Sequence, residues 1–155
     1  MTRQRTTLLR VVVGALAAGS LLAQLVVVPR VASDLADRYP EVANLERPYV
    51  IAVVAAIGAF QVALLAAWQL PAAAAGGAGA TRRSTRRVDV LAFSLCAMAL
   101  VLAGICVHAG FVAHVGGPAT GFGLLASLAL AAGAVAARKQ VLVVLVDGDA
   151  DRLGR

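Results

Sequence analysis

Polar side chains within long apolar stretches are the residues of this chain that could do chemistry, because they are costly in hydrocarbon and often mark function there. These residues are Ser20, Gln24, Gln61, Gln69, Asp89, Ser94, His108, His114 and Ser127. Asp89 follows Arg86 and Arg87 closely, so its carboxylate could pair with an arginine or accept a proton. It could equally be a structural residue, since the helix dipole favours Asp in a first turn. The candidate functional positions are Asp89, Arg86, Arg87, Gln61 and His108.

The histidines and cysteines are the residues that could bind a metal or haem. His108 and His114 lie on or just beyond one predicted helix, about 120° from alignment around its axis. Cys106 and His108 are separated by one residue, which is not a zinc spacing. Cys96 and Cys106 would lie about 15 Å apart on that helix, too far for a disulfide. We therefore expect no cofactor, no metal and no disulfide.

The sequence contains no motif that commits it to catalysis. Asp147, Asp149 and Asp151 resemble the start of a calcium loop, but Arg152 stands where such a loop requires glycine. A nucleophile elbow, a phosphate-binding P-loop and a glycine-rich dinucleotide turn are all missing from the sequence. We expect the protein not to be an enzyme.

The composition indicates an integral membrane protein. Hydrophobic residues make up 61% of the chain and charged residues 14%, against about 45–50% and about 25% in soluble domains. A chain this short cannot bury such an excess, so lipid must cover it. The net charge of +6 comes from short arginine clusters beside apolar runs, where anionic headgroups would meet them. Without interleaved aromatic residues, these clusters do not predict direct binding of nucleic acid.

Four stretches are apolar over the length of about 20 residues that a spanning helix needs. They are residues 8–28, 49–70, 90–112 and 120–137, followed by a short tail, 138–155. Residues 90–137 carry no Asp, Glu, Lys or Arg and would form a helix about 72 Å long, so we expect a turn at Gly116-Gly117-Pro118. The predicted fold is an all-α membrane bundle of four transmembrane helices in one domain.

Local signals suggest where the first two spans begin and end. We expect Pro29 and Arg30 to end the first span, and Ser33 to cap a short surface helix in the charged connection 29–48. A basic start before an apolar run also fits a signal peptide, but no small-residue cleavage site follows Val28, so we predict a retained helix. Tyr49 and Trp68 suit an interfacial aromatic belt.

The placement of Lys and Arg predicts the orientation. With both termini in the cytoplasm, only Arg30, Arg38 and Arg47 of the 14 Lys and Arg residues lie outside. We therefore predict a multi-pass protein of a bacterial cytoplasmic membrane with both termini inside. Two rows of small residues spaced by four suit close helix packing, and we interpret them as bundle seams. They are Ala15, Gly19 and Ala23, and Ala129, Gly133 and Ala137.

The layout resembles the bacterial, actinobacterial-type domain-of-unknown-function family 2975. The resemblance is carried by an apolar span ending in Trp, Phe60–Leu70, a basic linker, and Arg86-Arg-Val-Asp-Val-Leu-Ala92 at the start of the third span. The Ala-Gly-rich linker 72–80 departs from the Phe-containing segment of family members, and the tail is expected to lack their usual acidic helical ending. The family has no settled activity, and its members are often encoded beside a small helix-turn-helix regulator. The resemblance implies a sensing or regulator-tethering role.

Three functions remain open from the sequence. The first is a non-enzymatic accessory or regulatory membrane protein, a tether or sensor for a cytoplasmic regulator, with basic residues contacting anionic headgroups or that partner. Those residues are Arg82, Arg83, Arg138 and Lys139. The second is a small oligomeric transporter or transporter subunit, if Gln24, Gln61, Asp89 and His108 converge on one cavity. The third is a membrane redox protein using Cys106, His108 and His114.

Overall fold

The computed structural model of this chain describes residues 3–74, 80–114 and 117–153, and side chains for 7–41, 43–69, 84–114 and 117–143. All regular structure in those residues is helical, as predicted. The α-helices are α1 (Arg3–Leu22), α2 (Val28–Arg38), α3 (Glu46–Ala74), α4 (Ala80–Val107) and α5 (Pro118–Leu153). A π-helical turn, Ala23–Val27, joins α1 to α2, a 3-10 helix, Pro40–Leu45, joins α2 to α3, and a second π-helical turn, His108–Val112, follows α4.

Four helical segments in the described part of the chain are long and apolar enough to cross a membrane. They are Thr7–Arg38, Ala43–Gln69, Ser84–Val112 and Pro118–Val143. Ala113, His114 and Gly117 are not helical, as expected near a Gly-Pro turn, whereas Gly116 of that predicted turn lies outside the described residues. The predicted class, an all-α bundle with four membrane-spanning helices, is confirmed.

The expectation that Pro29 ends the first helix is wrong, because helical structure runs without a break from Arg3 to Arg38. Pro29 lies in the first turn of α2, directly after the π-helical turn, whose wider spacing accommodates a residue that lacks an N–H donor. Ser33 lies inside α2 and donates a hydrogen bond to the Arg30 carbonyl, so it does not cap the helix. The whole run is about 54 Å long, well beyond a hydrocarbon core of about 30 Å. Its charged α2 part must therefore extend out of a bilayer.

The helices pack in chain order and antiparallel. In the described residues α3 packs extensively against α4 and α4 against α5, whereas α1 packs against α3 alone and less closely. Gly14 of α1 lies against Trp68 of α3, since a Cβ added to Gly14 would meet its ring at 3.6 Å. The Cys96 thiol of α4 approaches the Ala131 carbonyl of α5, with 3.8 Å from Sγ to O. The bundle is therefore an open row of helices in the order α1, α3, α4, α5. The beginning of α1 and the end of α5 lie on the same side of this row.

Small side chains fill the seams of this row, and large apolar side chains face outward. Ala56, Ala63 and Ala99 are at most 4% exposed, and Ala at these positions lets helix backbones approach closely. By contrast, Phe93 and Phe122 are 77% and 72% exposed. In water such a surface would be unstable, but in a bilayer it is the surface that lipid solvates.

The small-residue rows predicted as seams do not lie at helix contacts. Ala15, Gly19, Ala129 and Gly133 are all exposed, and a Cβ added to Gly19 or Gly133 would meet no atom within 4 Å. The closest approach at a glycine is instead between α4 and α5, where a Cβ on Gly123 would lie 2.8 Å from the Cys106 sulfur. The interpretation of both rows as seams is therefore wrong.

Candidate functional site

Side-chain hydrogen bonds join the helices of the row at three separate places. We call the end of the bundle that carries Arg86, Arg87, Asp89, Arg138 and Lys139 the basic end. The opposite end, which carries Tyr49 and His108, is the histidine end. Two polar contacts of the described residues lie at the basic end, one lies at the histidine end, and Gln61 contacts the first helical run between them on the α1–α3 seam.

At the basic end, Asp89 of α4 forms an ion pair with Arg138 of α5. Arg138 Nε donates to Asp89 Oδ1 at 2.7 Å, and the two side chains are 43% and 44% exposed. The carboxylate thus pairs with an arginine from a different helix and not with its neighbours Arg86 and Arg87. Asp89 is also not a first-turn residue, because α4 begins nine residues earlier, at Ala80. The alternative interpretation as a helix-start residue is therefore wrong, and the pair cross-links α4 and α5.

Arg87 joins α4 to α3 at the same end. Its Nη1 donates to the Gln69 carbonyl at 2.5 Å. Arg86 is exposed and, among the side chains that the structure describes, has no hydrogen-bonding partner. Both arginines line an open groove of about 410 Å³ between α3 and α4, together with Val62, Leu65, Ala66, Gln69 and Val90.

Four other basic residues are predicted to contact headgroups or a partner, and the structure describes the side chains of two of them. Arg138 is held by Asp89, and Lys139 is exposed on α5. Arg82 and Arg83 lie in the first turn of α4, but their side chains fall outside the described residues. Headgroup contact at these four positions stays a prediction.

Gln61 is a polar cross-link between α3 and the first helical run. Its Nε2 donates to Gln24 Oε1 at 3.0 Å and lies 3.4 Å from Ser20 Oγ, which itself donates to the Ala17 carbonyl. Gln24 lies in the π-helical turn. Amide and hydroxyl groups that satisfy one another across a seam stabilise helix association within a bilayer. This arrangement gives Gln61 a structural role.

At the histidine end, Tyr49 of α3 and His108 contact each other through both their polar atoms and their rings. Tyr49 Oη lies 2.9 Å from His108 Nδ1, and the two rings meet edge-on, with centroids 5.8 Å apart and planes at 88°. They lie at the edge of an open groove of about 330 Å³, whose other walls are apolar and include Leu45, Ala52 and Ile105. The Tyr49–His108 contact therefore joins α3 to the second π-helical turn near one end of two candidate spans.

The residues considered for metal or redox chemistry do not form a cluster. His108 contacts Tyr49, and the Cys106 sulfur faces Gly123 of α5. His114 is exposed with a left-handed backbone, φ 52°, just beyond the second π-helical turn. Cys96 and Cys106 are free thiols. No group of three or more His, Cys, Asp or Glu side chains within the described segments could hold a metal ion.

The convergence on which a transporter would depend is not present. Asp89 and His108 are 19 residues apart on one continuous helical run, about 28 Å along its axis and close to the thickness of a hydrocarbon core. Gln24 and Gln61 meet on a different seam. The four residues therefore do not line one cavity.

The partners of His108 and Arg87 were not foreseen from the sequence, and neither were those of Gln61 and Asp89. The sequence predicts Tyr49 only as an interfacial aromatic residue, although it is the partner of His108. Arg87 donates to the backbone carbonyl of Gln69. Every residue has such a carbonyl, so the residue types do not predict this contact. The sequence predicts only that the two residues of each pair, Tyr49 with His108 and Arg87 with Gln69, lie near the same membrane surface. Several other residues lie there too, so this prediction does not identify the partner.

The comparison with known families identifies this chain at the family level. Residues 30–146, more than half of the chain, match the family described as "Protein of unknown function (DUF2975)". No curated protein and no solved structure matches the chain. The chain therefore belongs to the DUF2975 family, and the matched segment contains the Tyr49–His108 contact and the Asp89–Arg138 pair but not α1.

Proposed function

We propose that this DUF2975 protein is a small, non-enzymatic accessory or regulatory protein that holds a cytoplasmic regulator at a bacterial cell membrane. In this arrangement the basic end faces the cytoplasm, where the distribution of Lys and Arg predicts it to be. The regulator would be a small protein of the helix-turn-helix type, which the family resemblance implies. The absence of a catalytic motif in the sequence is compatible with this role.

The observation that supports a tether is the continuation of α5 beyond the ion pair. After Arg138, α5 remains helical to Leu153, a further length of about 22 Å. The expectation that the tail lacks a helical ending is therefore wrong. A helix that only crossed a bilayer would not need this extension, because α5 is about 54 Å long in total. Val141 and Val143 lie at the end of the candidate span Pro118–Val143 and are 40% and 58% exposed. In this proposal the regulator, and not lipid, covers these apolar side chains. Helices with exposed apolar side chains commonly dock in a groove of a partner.

Site-specific photo-crosslinking in native membranes tests this proposal. A photoreactive amino acid replaces Val143 in the extension, and the matched control places it at Phe122, an exposed residue at the other end of α5. We expect Val143 to trap one small DNA-binding protein that Phe122 does not trap. Mass spectrometry of the crosslinked band identifies the partner.

A functional measurement makes the test independent of crosslinking yield. Truncation after Gln140 removes the extension but leaves the predicted fourth span, 120–137, in place. We expect the truncated protein to reach the membrane normally, while the regulator shifts from the membrane fraction to the soluble fraction. If Val143 yields only lipid adducts and truncation leaves every cytoplasmic protein where it was, the tether proposal is wrong.

A further inference from the structure

We infer that the groove between α3 and α4 at the basic end is a binding site for one anionic phospholipid. Its phosphate would lie at Arg86 and Arg87, and an acyl chain would run along the apolar walls. This inference depends on the chain lying in a membrane, but it does not depend on the proposed cytoplasmic partner.

The charge at the mouth of the groove favours an anion. Arg87 is held at its position by the Gln69 carbonyl, and Arg86 has no partner among the described side chains. Asp89 is the only carboxylate at this end within the described side chains, and Arg138 already binds it from the α5 side. The two guanidinium groups therefore carry positive charge that no described carboxylate at this end neutralises. Guanidinium groups bind phosphate oxygens through well-oriented, charge-assisted hydrogen bonds.

The remaining walls of the groove favour a lipid over a small soluble anion. Val62 and Leu65 from α3 and Val90 from α4 line it, and they are 45%, 61% and 39% exposed. Val62 lies two helical turns from Gln69, about 10 Å further toward the middle of the bundle. The groove is thus basic at its end and apolar toward the centre, which is the polarity of a phospholipid entering from the headgroup region.

The position of the groove along the helices also fits a lipid headgroup. Trp68 is 41% exposed beside Gln69, and tryptophan favours the interface between headgroups and hydrocarbon. Basic pockets between transmembrane helices at the cytoplasmic surface are known recognition sites for anionic lipids. A general attraction between arginines and a charged membrane would not require the apolar walls of the groove. The charge of the two arginines and the shape of the groove can therefore be tested with separate variants.

Native mass spectrometry of the purified full-length protein tests the inference. The protein is exchanged into mixed micelles containing equal amounts of phosphatidylglycerol and phosphatidylcholine with the same acyl chains. We expect one phosphatidylglycerol to be retained preferentially. Replacing both groove arginines, Arg86→Gln with Arg87→Gln, should weaken its retention about 10- to 30-fold, because each arginine near the surface contributes about 1 kcal/mol.

Two further variants separate a specific site from general electrostatics and from misfolding. The control Arg30→Gln with Arg47→Gln removes the same charge from exposed residues at the other end, and should leave retention unchanged. Val62→Trp fills the apolar part of the groove without changing charge, and should reduce retention. Helicity by circular dichroism should be the same for all variants.

The outcomes that contradict the inference are distinct. Equal retention of both lipids, equal loss in the two double-arginine variants, or full retention in Val62→Trp would each show that the groove does not select an anionic phospholipid. Displacement of the lipid by millimolar inorganic phosphate would show a site for the phosphate group alone. Displacement by an acidic peptide at micromolar concentration would point to a protein ligand instead. None of these results would bear on crosslinking from Val143.

Discussion

Asp89 is a polar residue whose structural role, but not whose partner, could be anticipated from the sequence. Its position beside two arginines makes it a functional candidate in the sequence, and the structure places it in an ion pair with Arg138. That pair explains the residue without catalysis, since it links α4 to α5 at the surface of the bundle. Both partners are more than two-fifths exposed, and solvent-exposed pairs of this kind contribute little free energy.

A double-mutant cycle on this pair measures its contribution. Asp89→Asn and Arg138→Gln, singly and together, should reveal a coupling free energy of about 0.2–1 kcal/mol in equilibrium unfolding in detergent. The charge exchange Asp89→Arg with Arg138→Asp should recover most of the stability lost in either single charge reversal. A coupling near zero, with no recovery on exchange, would show that the pair does not join the two helices.

The limits of sequence reasoning at this scale come from register. Residue types identify Gln61 and His108 only as candidate functional positions, because polar groups are costly within apolar stretches. They could not predict Gln24 and Tyr49 as the partners of these residues. The choice depends on how two helices slide and rotate against each other. Buried small side chains such as Ala56 and Ala99 do not stand out in an alanine-rich sequence.

At the scale of helices, length and charge predicted more than individual breaker residues did. Four long apolar stretches became four long helices because each must satisfy its backbone hydrogen bonds internally. Pro29, by contrast, does not end its helix, because the π-helical turn Ala23–Val27 precedes it. The expectation that proline ends a helix considers only the proline itself. Here the preceding π-helical turn accommodates Pro29, and nothing in the sequence pattern predicts that turn.

The α4–α5 contact offers a direct test of helix packing. Gly123→Ala places a Cβ 2.8 Å from the Cys106 sulfur, so the thiol or the helix must move. We expect the variant to lose about 1 kcal/mol of unfolding free energy. Gly121→Ala, two residues away with no atom within 4 Å of the added Cβ, should be neutral or more stable by up to about 1 kcal/mol.

A second substitution shows whether the close approach causes the loss. Adding Cys106→Ala to Gly123→Ala removes the sulfur that the new methyl group meets, and should restore part of the lost stability. Thermal unfolding in one detergent compares the four proteins. If Gly123→Ala is as stable as Gly121→Ala, the two helices do not approach closely at this position.

At the scale of the whole molecule, the open row of helices separates two surfaces with different chemistry. The basic end carries an arginine-lined groove and the α5 extension, and the histidine end carries the Tyr49–His108 contact and the charged α2 extension. About 28 Å of apolar helix lies between the ends. Because of this separation, Asp89 and His108 do not meet in one site, and the orientation in the membrane determines which end faces the cytoplasm.

Cysteine labelling in intact cells measures that orientation most directly. In a background with Cys96→Ala and Cys106→Ala, single cysteines replace Ala43 at the histidine end and Gln140 on α5, both of which are exposed. We expect a membrane-impermeant maleimide to label Ala43→Cys in intact cells, and to label Gln140→Cys only after the membrane is permeabilised. Labelling of Gln140→Cys in intact cells, or recovery of the protein in the soluble fraction without detergent, would contradict the account.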